Sequence, residues 1–317
     1  MNILLTGATG LIGGELKKQL IQHFKSTDED VTLYCISQKK TKENQVFETS
    51  DYRFAPILSV VHYGGNLLDE SYVKTLLKST APTYIFHLAA KATVKEETQG
   101  ELFEKNLLMT EYLLRHAPQG CRFVYASSAT VYGSYKDVDS RGFEESDLPN
   151  PSSIYAATKL ASEALIQARH NLGQINGLIL RFIANVGVNA RHGILKDFIQ
   201  KAKSDNPIFE VLGNKPSYKP YILVEDTAQV ALKLAFKGCS GIYNIGTCNP
   251  LYSDQVARIV MEELGVNKEI KFVGGNWPGD DRFVKVSFNK AYKEGCDLKC
   301  WYSDKVIRKV VQEYKNS

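Results

Sequence analysis

The run TGATGLIG at residues 6–13 constrains this chain more than any other segment, because it sets Gly7, Gly10 and Gly13 three apart between an apolar strand and a helix. A turn of that kind is tight, and its backbone can approach a ligand closely only where no Cβ intervenes. Residues 2–5 supply the strand, and apolar Leu11, Ile12, Leu16 and Leu20 recur at helical spacing after the turn. The first turn of such a helix offers free N–H groups to an anion. Strand, glycine turn and helix in this order point to a pyrophosphate-binding loop; a tight turn without a ligand is the plainer alternative.

Further apolar runs at residues 31–36, 59–64, 83–90, 122–128 and 177–182 stand far enough apart for a helix between each pair. Strands alternating with helices predict an α/β fold with a Rossmann-type, doubly wound parallel sheet. Two of the intervening helices are marked by their apolar spacing, over residues 101–116 and 153–170. After residue 183 the rhythm loosens into a helix near 194–202, short strands at 209–212 and 221–224, and a helix over 226–236. A strand at 241–246, a helix near 253–264 and a terminal helix from Ser303 follow. The expected division is a dinucleotide-binding domain over residues 1–183, with 214–246 contributing late sheet elements, and a smaller substrate lobe built from 184–213 and 247–317.

Composition excludes several classes. With 44% of 317 residues hydrophobic, disorder is out, and no run approaches the ~20 apolar residues of a membrane-spanning helix. The net charge of +4 is spread along the chain, which argues against a dedicated nucleic-acid binder but suits a small anionic ligand. Six scattered cysteines and an N-terminus unlike a signal peptide fit a reducing cytoplasm. Cys296 and Cys300 are spaced to share a helix face, yet without a nearby histidine they make a poor metal site, and no metal is expected.

The second strand ends in Ser37, Gln38, Lys39 and Lys40, with Lys42 just beyond. A carboxylate there would accept from an adenosine ribose 2′-OH and favour NAD, whereas cations tolerate a 2′-phosphate. The acid-free, lysine-bearing end favours NADP(H), with NAD(H) the alternative and a solvated lysine run on a loop the bland reading. Tyr155 and Lys159 stand four apart at the start of a helix, so both lie on one face. An ammonium beside a phenol favours phenolate and suits the tyrosine to acid/base work. Ser128 ends the strand over 122–128, where its hydroxyl can hold a substrate oxygen.

TGATGLIG, HLAA at 87–90, SSATVYG at 127–133 and YAATK at 155–159 together resemble the extended short-chain dehydrogenase/reductase superfamily, in its nucleotide-sugar epimerase/dehydratase group. The likeness runs over essentially the whole chain. It implies a nicotinamide cofactor, hydride transfer at a sugar carbon, and Ser128, Tyr155 and Lys159 as the catalytic set. Cofactor contacts are implied for Gly7, Gly10, Leu11, Ile12 and Gly13, for Ser37, Lys39 and Lys40, and for Asn66 and Leu67. Leu88, Ala89, Ala90 and Asn106 complete that set with Tyr155 and Lys159. Substrate contacts are implied for Thr93, Ser128, Ala129, Thr130, Asn185, Arg191, Lys219 and Asp280. Lys219 stands where the family often carries a phosphate-gripping arginine, and Asn185 lies one position beyond the usual sugar-binding asparagine, whose place is taken by Ala184. Trp277 occupies the place of another family arginine, and Arg282 follows only later. A homodimer through the helices at 101–116 and 153–170 is also implied.

Sugar 4,6-dehydratases of this family carry an Asp-Glu pair where this chain has Ala129 and Thr130. Without that acid the expectation is that the protein is not a 4,6-dehydratase. A nucleotide-sugar 4-keto-reductase using NADPH is favoured, and an NAD-dependent 4-epimerase of the UDP-glucose/galactose type is the alternative. A silent NADP-sensing scaffold on the same fold is the reading from outside enzymology, against which the intact Ser128, Tyr155 and Lys159 argue.

Overall fold

The computed structural model describes residues 1–38, 45–48, 57–91, 99–134, 141–247, 249–275 and 283–316. The first half contains strands β1 (Asn2–Thr6), β2 (Val31–Ser37), β3 (Gln45–Glu48), β4 (Ile57–Gly64), β5 (Tyr84–His87), β6 (Cys121–Ser128) and β7 (Ile175–Phe182). Between them run helices α1 (Leu11–Phe24), α2 (Glu70–Thr80), α3 (Gln99–His116) and α4 (Ile154–Asn171). The second half holds β8 (Ala184–Val186), α5 (Ile194–Lys203), β9 (Ile208–Val211), β10 (Tyr218–Lys219), β11 (Tyr221–Leu223), α6 (Val224–Phe236) and β12 (Gly241–Ile245). It closes with β13 (Leu251–Tyr252), α7 (Ser253–Leu264), β14 (Glu269–Phe272), α8 (Asn289–Lys293) and α9 (Ser303–Lys315).

The main sheet has the order β12-β7-β6-β5-β1-β2-β4-β3, parallel throughout except for the antiparallel edge strand β3. Central strands in such a sheet are covered on both faces and therefore read as unbroken apolar runs, as Ile3, Leu4 and Leu5 do at 0% exposure. One core cluster joins α1 and α6 to the sheet, and another joins α2, α3 and α4 to its other strand faces. Chain order reverses about β1, with β2 on one side and β5 on the other. Doubly wound sheets bind ligands at that crevice, beyond the carboxyl ends of the strands. β1 and β5 end level there, Thr6 pairing with His87, whereas β6 runs past its pairing of Tyr125 with His87 to end at Ser128.

Three departures from the expected layout have physical causes. The run at 83–90 forms a strand only as far as His87, because the Gly7 turn occupies the space beyond. A Cβ on Gly7 would stand 2.8 Å from the Ala89 nitrogen and 2.8 Å from the Leu88 carbonyl carbon. Of residues 214–246, β12 alone joins the main sheet; β10 pairs with β13 and β11 with β8. Val284, Val286, Phe288, Ala291, Cys296 and Leu298, expected in the smaller lobe, pack into the core beside the sheet, since β12 leaves an apolar face there to be covered. A third core gathers α5, α7, α9, β9 and β14 around Phe198, Phe209, Val260 and Val310. Cys296 and Cys300 fall between α8 and α9 and share no helix face. Among the described residues no helix is long and apolar enough to cross a membrane.

Candidate active site

The glycine turn folds as a cradle. Gly7 has φ +71°, a conformation that disfavours any residue with a Cβ, and its carbonyl accepts from the Gly10 amide at 2.9 Å. Gly13 admits no side chain at all, since its Cβ would stand 2.1 Å from the Gly7 oxygen. Helix α1 starts against this turn with Gly10 as its N-cap and no side-chain cap. The first-turn N–H groups of Leu11, Ile12 and Gly13 are thus left for an anion, and the helix dipole favours one. These features fit a dinucleotide's pyrophosphate. Leu88, Ala89 and Ala90 lie half-buried against the turn, and the Ala89 amide donates to Thr6 Oγ1 at 3.1 Å.

Ser37 ends β2 beside the cradle, and its carbonyl accepts from Gly65 at 3.0 Å. Lys39, Lys40, Thr93 and Asp280 lie outside the described residues, as do Lys42, Trp277 and Arg282. Asn66 is exposed, with its Oδ1 accepting from the Leu68 amide at 3.1 Å, while Leu67 is buried in the core.

Ser128 ends β6 and caps a short 3-10 turn, Ala129–Tyr132. Its Oγ accepts from Thr130 Oγ1 at 2.9 Å and from the Thr130 amide at 3.3 Å. Both contacts fall on the Ser128 oxygen, which keeps its own proton to donate elsewhere. Thr130 therefore acts on Ser128, and Ala129, 2% exposed, belongs to the core.

Helix α4 begins under a Ser153 cap that accepts from the Ala156 amide at 3.1 Å, and it packs against the 3-10 turn. Tyr155 stands in its first turn. The Lys159 side chain, 3% exposed, lies 5.7 Å from the Tyr155 ring centre and 4.7 Å from that of Tyr125, and its Nζ donates to the Ala126 carbonyl at 2.7 Å. Burial pushes the ammonium from 10.5 down to about 7, with Glu163 opposing the shift. Burial also pushes the Tyr155 phenol up to about 12. The expected lowering of the tyrosine is thus outweighed in the protein alone. Lys159 sits over the ring face and donates its hydrogen bond to the Ala126 carbonyl, so desolvation dominates and Tyr155 is held as a neutral phenol.

Several other expected contacts are spent within the protein. Asn106, buried, accepts from the Lys91 amide at 2.8 Å and donates to the Lys91 carbonyl at 3.1 Å and to Thr158 Oγ1 at 3.3 Å. It fastens the segment after β5 to α4. Asn185 donates to the Ile183 carbonyl at 2.9 Å and accepts from Thr227 Oγ1 at 2.6 Å. Arg191 is exposed in a loop, because α5 starts only at Ile194 after Gly193 at φ +111°. Lys219 is half-buried in β10, paired with Leu251.

Two polar groups under the site carried no expectation. His87, 1% exposed, meets Thr6 Oγ1 at 2.8 Å and Thr110 Oγ1 at 3.1 Å, and burial pushes it down to about 3, so it stays neutral. Glu163 and Arg181 form a buried ion pair at 2.7 Å behind Lys159. The signal for Glu163 was its position four residues after Lys159 and eight after Tyr155, on one helix face.

A family model described as the NAD dependent epimerase/dehydratase family matches residues 3–246. This chain belongs to that family. Among relatives in sequence, the dTDP-glucose 4,6-dehydratase of Haemophilus influenzae is 27% identical over 288 residues, spanning 84% of this chain and 82% of that protein. The dTDP-glucose 4,6-dehydratase of Neisseria gonorrhoeae is 24% identical, spanning 99% of this chain and 95% of that protein. Among solved structures, the UDP-glucose 4-epimerase of Thermus thermophilus in complex with NAD superimposes with a TM-score of 0.82 at 23% identity, covering 100% of both chains. The dTDP-glucose 4,6-dehydratase of Bacillus anthracis in complex with NAD gives 0.81 at 19%, covering 100% of this chain and 97% of that one. At these identities the superpositions establish the fold.

These relatives overturn the exclusion of 4,6-dehydration. Family members named as 4,6-dehydratases align over most of this chain. The exclusion rested on Ala129 and Thr130, and two positions report on one stretch of pocket wall only. A proton donor for a leaving hydroxyl serves equally from any element that reaches the same space.

Proposed function

We propose that this family member transfers hydride between a nicotinamide dinucleotide and C4 of the sugar in a nucleotide-diphosphate sugar. The observation that carries the reading is the grouping at the strand ends: a Ser128 hydroxyl whose oxygen accepts from Thr130, a neutral Tyr155 phenol, and a buried Lys159 over two tyrosine rings. When bound, the nicotinamide would supply or accept the hydride. The chain's own residues do the rest. Ser128 donates a hydrogen bond to the C4 oxygen and fixes its distance from Tyr155. Tyr155 gives its phenolic proton to that oxygen as a ketone is reduced, or takes it as an alcohol is oxidised. Lys159 stabilises the phenolate left behind and, freed from Ala126, reaches the cofactor ribose. Gly7, Gly10 and the first turn of α1 hold the pyrophosphate.

The finer reading is a 4-keto-sugar reductase drawing on NADPH, supported by the end of β2 at Ser37, after which Gln38, Lys39 and Lys40 follow with no carboxylate. A 4-epimerase that retains NAD is the second reading, favoured by the SSAT run, in which Thr130 orients Ser128 and nothing acidic follows it. The test is to offer UDP- and dTDP-hexoses and their 4-keto forms with each dinucleotide. Reduction with NADPH at least tenfold faster than with NADH is the expected result. A C4 epimer without net dinucleotide turnover would replace the reductase by the epimerase, and a 4-keto-6-deoxy product would replace both by a dehydratase. Wild-type turnover in Tyr155→Phe would refute the whole assignment.

A further inference from the structure

Behind the candidate catalytic residues lies a charged cluster that the reading above does not use. Glu163 sits one helical turn after Lys159 on α4, and its side chain is 4% exposed. Its carboxylate accepts from Arg181 Nη2 at 2.7 Å and from Arg181 Nε at 3.0 and 3.2 Å, and it accepts the hydroxyl of Ser127. Ser127 is the neighbour of Ser128 and pairs with Arg181 across β6 and β7. The Arg181 guanidinium in turn lies 4.6 Å from the ring centre of Tyr132, the last residue of the turn that Ser128 caps. The Tyr132 hydroxyl donates to Asn244 on β12, which pairs with Arg181. One carboxylate therefore touches the strand that ends in Ser128, the helix that carries Tyr155 and Lys159, and, through Arg181, the turn between them.

We propose that Glu163, pinned by Arg181, is a positioning residue: it locks the Ser128 strand end to the Tyr155 helix and supplies the carboxylate that balances the Lys159 ammonium. The proposal rests on the assignment of Ser128, Tyr155 and Lys159 as the reacting set. Among the described residues the titratable and charged groups around Lys159 are Tyr155 and Glu163 on α4, Tyr125 on β6, His87 on β5 and Arg181 on β7. Of these Glu163 is the carboxylate. Tyr125 and Tyr155 are held neutral by burial, His87 is neutral above about pH 3, and Arg181 carries the same sign as Lys159. Without Glu163 the ammonium has only carbonyl and ring-face partners, and its proton leaves at lower pH.

The direct test needs no substrate: the Lys159 ammonium is titrated by nitrogen NMR in lysine-labelled protein, its signal assigned by its absence in Lys159→Met. Removing half of a buried ion pair strands the other charge, so Glu163→Gln is paired with the double variant Glu163→Gln/Arg181→Met, which removes both charges and favours folding. The titration midpoint is expected to fall by about one unit in Glu163→Gln and by about half a unit in the double variant. The alkaline limb of the reductive pH–rate profile is expected to move to lower pH by the same amount, with KM for the sugar within twofold of wild type. Ser127→Ala cuts only the tie to the strand; it is expected to lower kcat severalfold with the lysine titration unmoved. A folded double variant that titrates and turns over as wild type does overturns the proposal, as does a Ser127→Ala protein with wild-type kcat. Failure of the wild-type protein to act on any nucleotide sugar would refute the functional reading alone, because the lysine titration stands without it.

Discussion

At the scale of single residues, the site is a set of groups whose protonation burial has chosen in advance. Lys159 is the clearest case, because its ammonium loses water, and the Ala126 carbonyl, two ring faces and the Glu163 charge replace that water only in part. With a folded value near 7 against 10.5, the unfolded chain binds a proton between those values that the folded chain does not. Stability attributable to this residue therefore rises with pH across that window. The unfolding free energy of wild type is expected to rise relative to that of Lys159→Met from pH 7 toward pH 9 by about 1.4 kcal/mol per unit, measured by urea denaturation of the cofactor-free proteins. A constant difference would show that the lysine is charged in the fold. Gly13 gives a steric prediction of the same grain. A Cβ there would stand 2.1 Å from the Gly7 oxygen, and backbone on both sides cannot yield as a flexible side chain could. Gly13→Ala should cost about 1–3 kcal/mol and abolish dinucleotide binding, which equilibrium denaturation and a fluorescence titration with NADPH check.

At the scale of elements, the two kinds of helix start divide the labour. Helix α2 is capped by Asp69, whose carboxylate accepts from the Tyr72 amide at 3.0 Å, and α4 by Ser153. Helix α1 has Gly10 and no side-chain cap, as α5, α6, α8 and α9 have none, and it is the glycine turn ahead of α1 that lets an anion approach its N–H groups. Asp69→Ala and Ser153→Ala should each cost about 1 kcal/mol. Only Ser153→Ala is expected to lower kcat as well, severalfold, since Tyr155 stands in the turn that Ser153 fixes; equal kcat in both variants would place Tyr155 outside the chemistry. This division explains what the sequence disclosed. The glycine turn, β1, β2, β6, β7 and the Tyr155–Lys159 helix were legible because their residues act locally, through a backbone angle or a helix face. The end of β5 at His87, the pairing of β11 with β8, and the Glu163–Arg181 pair were not, because each depends on a partner from a distant part of the chain. Lys219, Arg191 and Asn185 shared that limit: the resemblance gave their positions, and the loops and partners around them decide what they reach.

At the scale of the whole molecule, the three cores meet the site differently. The two on the sheet support β1, β5 and β6, whose carboxyl ends set the cofactor cradle beside Ser128, whereas the core of α5, α7 and α9 carries segments that follow β7. A dinucleotide that binds only the folded sheet should raise the stability of the protein by about 2.7 kcal/mol at a hundred times its dissociation constant. Thermal unfolding with NADP and with NAD at one shared concentration compares their affinities, and the larger rise is expected with NADP. An equal or larger rise with NAD would remove the support that Lys39 and Lys40 give to the reductase reading.

The central claim is that Tyr155 and its neighbours move a hydride at C4 of a nucleotide-bound sugar. The measurement that meets it most directly is a transfer experiment with UDP- or dTDP-glucose deuterated at C4, incubated with the oxidised dinucleotide and the protein, followed by mass spectrometry of the recovered cofactor and sugar. The account predicts deuterium on the nicotinamide ring with wild-type protein and at least a hundredfold less with Tyr155→Phe, in line with the loss of a general base. Product whose C4 deuterium has been lost to solvent, or equal transfer by the two proteins, would contradict it.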